Sequence, residues 1–289
     1  MILDRAGNEI KSDGGQERFL AFLYNNAFGR VLLKLMCRRF ISNAGGAYMR
    51  SRLSKGRIKK TIRQGGIDMS EYEPAEYRSF NDFFIRRIRP ESRPVERSPE
   101  AVISPADSKL TVCDITEEGT YGIKGCRYTA ASLLGSEEAA RPFYGGKMFI
   151  YRLTVDNYHR YCYPDGGREL EHRFIPGILH TVNPIALEKH DVFGKNCREY
   201  TLLQTDNFGK VAFVEIGAMM VGRINNRHPQ TFARGDEKGY FSFGGSTIAV
   251  CYAKGEAGPD EDIAANSAKG IETAVKYGEK TGSKKERAL

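Results

Sequence analysis

At 289 residues the chain is long enough for about two domains at ~150 residues each, or for one large β-rich domain. With 40% hydrophobic and 28% charged residues it has the composition of a soluble globular protein, which excludes disorder, collagen and a small disulfide scaffold. The net charge of +8 is unevenly placed: residues 18–67 hold twelve Lys and Arg and no acidic residue, a basic stretch that points to an anionic partner, nucleic acid or membrane.

Apolar residues between Phe19 and Ile41 recur at helical spacing, but Asn25, Asn26, Arg30 and Lys34 interrupt them. No run reaches the roughly 20 apolar residues of a spanning helix, so the segment reads as a helix lying in an interface. Basic helical stretches follow around 46–53 and 56–64, then a Glu/Tyr-rich linker from Asp68 to Tyr77. Ser79 with Asp82 has the form of a helix start, which puts Phe80, Phe83 and Phe84 on one face.

After Pro90 and Pro94 the sequence turns to short runs rich in Val, Ile, Tyr, Phe and Thr between Gly, Asp and Pro. This pattern predicts strands near 101–104, 109–115, 147–154, 177–183, 199–206, 210–217, 239–243 and 246–253, with a short helix near 129–135. Without a long βαβ alternation, the fold class is α+β: N-terminal basic amphipathic helices over 1–78, then a mainly antiparallel β core over 79–289. The tail from Gly278 to Leu289 reads as disordered.

General chemical motifs are missing: there is no P-loop, no HExxH, no GxSxG elbow and no Rossmann glycine fingerprint. The six cysteines include no CxxC pair, and nothing at the N-terminus reads as a secretory signal, so a reduced cytosolic setting is expected. The five histidines are scattered, and no metal is expected. Three loops stand out: Ser104-Pro105-Ala106-Asp107, Asp156 through Pro164 with its Tyr158-His159-Arg160 core, and Phe243-Gly244-Gly245-Ser246-Thr247 between two β runs. Each alone reads as a turn, His159 as a satisfied core histidine and Asp107 as a turn residue.

Taken together and in order, with Phe80-Asn81-Asp82-Phe83-Phe84 and His180-Thr181-Val182-Asn183-Pro184, these strings resemble the phosphatidylserine decarboxylase family over most of the chain, from about Phe19 to Gly282. The resemblance implies a proenzyme that cuts itself between Gly245 and Ser246 into a large chain (1–245) and a small chain (246–289), and turns Ser246 into a pyruvoyl group. The chemistry suits the residue types. A glycine carbonyl is open to attack by the Ser246 hydroxyl, which needs a base, and a neutral imidazole held by a carboxylate supplies one. Asp107, His159 and Ser246 are therefore the expected catalytic residues. Members of the family usually carry a second histidine three residues after the first, where this chain has Cys162; a thiol is mostly protonated at neutral pH, so the base role moves to His159, with His180 in reserve. Ser108 stands where the family usually has Gly.

The pyruvoyl cofactor implies a Schiff base with the amine of phosphatidylserine, loss of CO₂ and release of phosphatidylethanolamine. The expected partners are phosphatidylserine in an anionic membrane, bound peripherally from the cytoplasmic face, and the two cleaved chains for each other as a heterodimer. No nucleic acid is expected, and homo-oligomerisation stays open. Two rival readings remain: a non-processed lipid-binding homologue, and a basic nucleic-acid-binding protein using residues 18–67.

Overall fold

The computed structural model describes residues 1–10, 22–26, 28–29, 33, 39–117, 129–178, 192–218, 223–243 and 246–285. Its helices are α1 (Arg39–Arg50), α2 (Arg57–Gly65), α3 (Phe80–Phe84), α4 (Ala130–Leu134), α5 (Glu137–Ala140), α6 (Val192–Lys195) and α7 (Glu261–Ala268). The strands in the first half are β1 (Ile2–Leu3), β2 (Ala101–Ile103), β3 (Ser108–Asp114), β4 (Lys147–Leu153), β5 (Arg160–Cys162), β6 (Gly167–Ile175) and β7 (Arg198–Thr205). Those in the second half are β8 (Gly209–Gly217), β9 (Ile224–Asn226), β10 (Thr231–Phe232), β11 (Glu237–Phe241), β12 (Ser246–Tyr252), β13 (Gly258–Pro259), β14 (Glu272–Val275) and β15 (Lys280–Ser283).

The fold is α+β. A nine-stranded sheet runs β1-β14-β3-β4-β12-β8-β7-β6-β10, beside two three-stranded sheets, β5-β11-β9 and β13-β15-β2. Every strand pairing among the described residues is antiparallel except β1 with β14. Strands β4, β12 and β8 are buried on both faces, which is why they read in sequence as apolar runs with little alternation. Tyr151, Phe149, Val214, Ile248, Val250 and Tyr252 form the middle of the core.

A second apolar cluster joins the basic helices to the sheet. Met49 of α1 and Ile58 of α2 pack with Phe80, Phe83 and Phe84, and Val155 and Phe243 pack against the same group. As the sequence suggests, Ser79 caps α3 by accepting from the Asp82 amide at 3.2 Å. Ser54 fastens the preceding turn to α3 by accepting from the Phe80 amide at 2.8 Å. Among the described residues no helix is long and apolar enough to cross a membrane. Most of the Phe19–Ile41 stretch lies outside the described residues.

Three departures from the sequence reading have physical causes. Strand β6, Gly-Arg-Glu-Leu-Glu-His-Arg-Phe-Ile, is too charged to read as a strand; it forms because its backbone pairs along β7 while most of its side chains stay exposed. The strand expected over 177–183 is absent at its start, where Ile178 makes only an isolated bridge to Asn196, and 179–183 lie outside the described residues. The tail is ordered as far as Ser283: Lys280–Ser283 form β15 between β13 and β2, and Thr281 is fully buried. At the other terminus Ile2 and Leu3 pair with Glu272 and Thr273, and Arg5 reaches Asp262 at 2.5 Å and Asp260 at 2.9 Å, so the first residues lie on the β core.

Candidate active site

The three residues expected to be catalytic come from three neighbouring strand ends. Asp107 immediately precedes β3, His159 follows the turn that leaves β4, and Ser246 opens β12. Lys109 opposes Arg152, and Ser246 opposes Leu153, so the start of β3, the end of β4 and the start of β12 lie at one end of the large sheet. On the other side of β12, Ser246 opposes Gly217. Gly244 and Gly245 lie outside the described residues, as does His180.

Ser246 is fully buried, and its Oγ has no hydrogen-bond partner among the described residues. An unpartnered buried hydroxyl costs stability, and Ser246 shares this with Thr247 beside it. The chain enters β12 past Phe243, whose amide donates to Asn81 Oδ1 at 3.1 Å and whose ring meets Phe80 and Phe84 edge-on at 5.1 and 5.3 Å.

Phe84 also covers the imidazole of His159, with centroids 3.8 Å apart. His159 is fully buried, and burial, reinforced by the nearby Arg86 cation, lowers its pKa to about 3, so the ring is neutral at pH 7. Its Nδ1 lies 3.0 Å from the Asn157 carbonyl oxygen. A carbonyl only accepts, so Nδ1 carries the proton and the Nε2 lone pair is free. Nε2 has no partner among the described residues. Arg86 holds the turn beneath it, donating to the carbonyl oxygens of Asp156 at 3.2 Å and Asn157 at 3.4 Å and to the Tyr72 hydroxyl at 3.0 Å. Arg86 is thus a positioning residue for the imidazole.

The hydrogen bond expected between Asp107 and His159 is not made. Arg93 grips the Asp107 carboxylate with Nε at 2.9 Å and Nη2 at 2.8 Å, and the Tyr277 amide donates to the same group at 2.8 Å. The neighbourhood of Asp107 is that of Cys162: the Cys162 amide donates to Pro105 O at 3.0 Å, and the Tyr277 side chain lies against the Cys162 thiol. Burial pushes that thiol up to about 12, so it stays protonated and cannot serve as a base at neutral pH. The carboxylate and the neutral imidazole therefore sit at the same sheet end with separate partners.

Beside Asp107 the fold adds Arg93, Lys109 and Tyr277, which carry no sequence signal. A cavity of about 680 Å³ opens beside Asp107, Arg93, Lys109, Asp156, Asn157 and Tyr277. Lys109 is nearly buried there, with Nζ on Thr154 Oγ1, 2.8 Å from Asn157 Oδ1 and 3.3 Å from Asp156, and burial lowers its pKa. Neither His159 nor Ser246 lines this cavity. Two residues along the sheet face from Ser246, Glu215 opposes Ile248 and forms a fully buried ion pair with Lys238 at 2.5 Å. The partners of Arg93, Arg86 and Lys109 are up to about seventy residues away, so no local pattern announces them.

The match with known proteins is extensive. The family model described as phosphatidylserine decarboxylase fits residues 80–283. The chain is 46% identical over 264 residues to phosphatidylserine decarboxylase proenzyme 2 of Clostridium acetobutylicum, covering 91% of each chain. It is 39% identical over 273 residues to a phosphatidylserine decarboxylase proenzyme of Ruminiclostridium cellulolyticum, covering 92% of this chain and 91% of the relative. With the proenzyme of Fusobacterium nucleatum the identity is 37% over 291 residues, covering 98% and 97%. With most of its length matched both by the family model and by these relatives, the chain belongs to the phosphatidylserine decarboxylase family.

Proposed function

We propose that the chain is a self-processing carboxy-lyase that cuts itself between Gly245 and Ser246 and then decarboxylates phosphatidylserine to phosphatidylethanolamine. The observation that carries this reading is the pairing of two orphaned, fully buried groups at one sheet end, the Ser246 hydroxyl and the Nε2 lone pair of a neutral His159. They fit a serine-derived pyruvoyl group. In the cut, Ser246 Oγ attacks the Gly245 carbonyl carbon while His159 takes the hydroxyl proton and returns it to the departing Ser246 nitrogen, so the peptide bond becomes an ester. Loss of the Ser246 α-proton then expels the Gly245 carboxylate by β-elimination, and water hydrolyses the dehydroalanine left at 246 to pyruvoyl with release of ammonia. A pyruvoyl group made from Ser246 supplies a ketone for the substrate amine and an electron sink for the bond to the departing carboxylate.

The other residues prepare the ground. Asn157 O fixes the His159 tautomer, and Phe84, backed by Phe243, covers the ring. Asp107, neutralised by Arg93, supports the neighbouring turn through Tyr277, and Lys109 offers a cation for an anionic headgroup in the cavity.

Peripheral binding at the cytoplasmic face of the membrane is part of the proposal. Arg50, Arg52, Lys55, Arg57, Lys59, Lys60 and Arg63 are all exposed, and none makes an ion pair with a described residue. Leu53 stands among them 81% exposed, and the helices bearing them pack on Phe80 and Phe84 above the Ser246 end of the sheet. Each cation near an anionic surface contributes about 1 kcal/mol, so reversing three of them should abolish most binding to anionic vesicles at low salt. Binding that ignores both anionic-lipid content and salt would contradict this part of the reading.

The intact mass of the purified protein tests the cut. The wild-type chain should separate under denaturing conditions into residues 1–245 and a pyruvoyl-blocked 246–289, while Ser246→Ala should stay full-length and inactive. His159→Ala should block maturation far more than Cys162→Ala. Two fragments from Ser246→Ala would move the cut elsewhere; a full-length wild type would leave a lipid-binding homologue.

A further inference from the structure

The exposed side of the large sheet gathers two of the five histidines. In a regular strand, residues three apart point to opposite faces. The register of β6 against β7 shifts between Glu169 and Glu171, and this irregularity returns Glu169 and His172 to one face. Glu169 Oε1 lies 2.5 Å from His172 Nδ1. The segment between β9 and β10 lays His228 on the same carboxylate, with Nδ1 at 3.1 Å from Oε1 and 3.2 Å from Oε2. The two imidazoles stack with centroids 3.9 Å apart, and one donor atom from each of the three residues lies within 4.8 Å of the others.

His228 carries a second observation. Its other ring nitrogen, Nε2, is 3.1 Å from Glu199 Oε1, so both nitrogens face a carboxylate. A neutral imidazole has one N–H and satisfies one of them; the other contact needs a second proton or a cation. Glu199 is fixed in turn by the Asn226 amide at 2.8 Å, and Asn226 Oδ1 accepts from the Tyr161 hydroxyl at 2.9 Å. A carboxylate oriented by further hydrogen bonds and holding the N–H of a histidine is the outer shell typical of a histidine that binds metal through its other nitrogen.

We propose that Glu169, His172 Nδ1 and His228 Nδ1 bind a divalent transition-metal ion, zinc being the best match, with Glu199 orienting His228. Two nitrogens and a carboxylate oxygen are the donor set of zinc, whereas calcium and magnesium take oxygen ligands. With bonds to zinc of about 2.0–2.2 Å, tetrahedral donors stand about 3.3–3.5 Å apart, so donors that now lie within 4.8 Å of one another close by at most about 1.4 Å, a side-chain rotation, when the ion enters. His172 is half exposed, which leaves a fourth position to water. Three strand spacings, roughly 14 Å, separate β6 from β12, so the ion is a clamp holding the 226–230 segment on β6 and takes no part at Ser246.

The test is zinc titration of chelator-treated, full-length protein carrying no histidine tag, followed by calorimetry, with cobalt as a spectroscopic substitute. One site per chain is expected, with a cobalt spectrum lacking thiolate bands, and Ser246→Ala should bind equally well. His172→Ala and His228→Ala should each weaken binding at least tenfold, and Glu199→Gln, which keeps all three ligands, by about tenfold. Zinc should raise the thermal midpoint of the wild type and not that of the His172→Ala/His228→Ala double variant, whose midpoint in chelator shows that it folds. Equal affinity in wild type and double variant, or thiolate bands from the buried cysteines, would overturn the site.

Discussion

Strands β12 and β6 belong to one sheet and treat polar side chains in opposite ways. At the head of β12, Ser246 Oγ and Thr247 Oγ1 are fully buried without a partner among the described residues, and so is the Nε2 of His159 at the same end of the sheet. On β6, Glu169, Glu171 and His172 all have partners, and most of the strand's side chains meet water. Burying a polar atom without a hydrogen bond costs about 1–3 kcal/mol, whereas a partnered surface group contributes little either way. The difference teaches where stability has been sacrificed: at the sheet end that carries Ser246, supported by an apolar core on both faces.

The largest break should come from removing a counter-charge at that sheet end. Arg93→Ala leaves Asp107 buried without its cation, and a loss of about 3–5 kcal/mol is expected in denaturant melts of the uncut Ser246→Ala chain. Adding Asp107→Asn should recover part of it; a loss under 1 kcal/mol would mean that the pair is not desolvated.

Next is the pH dependence contributed by His159. Its folded pKa is depressed, so between about 6.5 and 3 the unfolded chain binds the proton and the native chain does not. Stability therefore falls as the pH drops through this window, by up to about 1.4 kcal/mol per pH unit from this group. His159→Asn should flatten the slope relative to its parent, and equal slopes would place the imidazole in water.

Smaller still, and of opposite sign, is Thr247→Val. Replacing an unpartnered buried hydroxyl by a methyl group should leave stability unchanged or raise it by about 1 kcal/mol. The smallest change is expected on β6: His172→Gln in chelator should shift stability by no more than about 0.5 kcal/mol. A larger loss there would erase the contrast between the two strands.

The same contrast decides how much could be read from sequence. Strands β4, β8 and β12 were legible because both of their faces are apolar, and α3 because Ser79 and Asp82 mark its start. Strand β6 was not, because its charges mask the strand pattern and its register shift hides that Glu169 and His172 share a face. Asp107, His159 and Ser246 were named through the family resemblance that their strings carry together, each string alone reading as a turn, and the fold gathers them at one sheet end. The partner of Asp107 was not legible: Arg93 reaches it from fourteen residues away and Tyr277 from 170, contacts that only the folded chain creates.

The position of β12 also sets what a cut before Ser246 would do to the physics of folding. Seven residues of β12 pair with β4 on one side and seven with β8 on the other. The residues after it supply β14, which pairs with β1 and β3, and β15, which pairs with β2. From Ser246 to Ser283 the chain is thus woven through two sheets, and a cut at the Gly245-Ser246 bond would leave it enclosed there. Folding of the intact chain is a unimolecular process; regaining the same structure from separated pieces is bimolecular, and its yield falls with dilution. Such a cut would therefore turn a reversible equilibrium into a record of history, in which each active molecule is one that folded before it was divided.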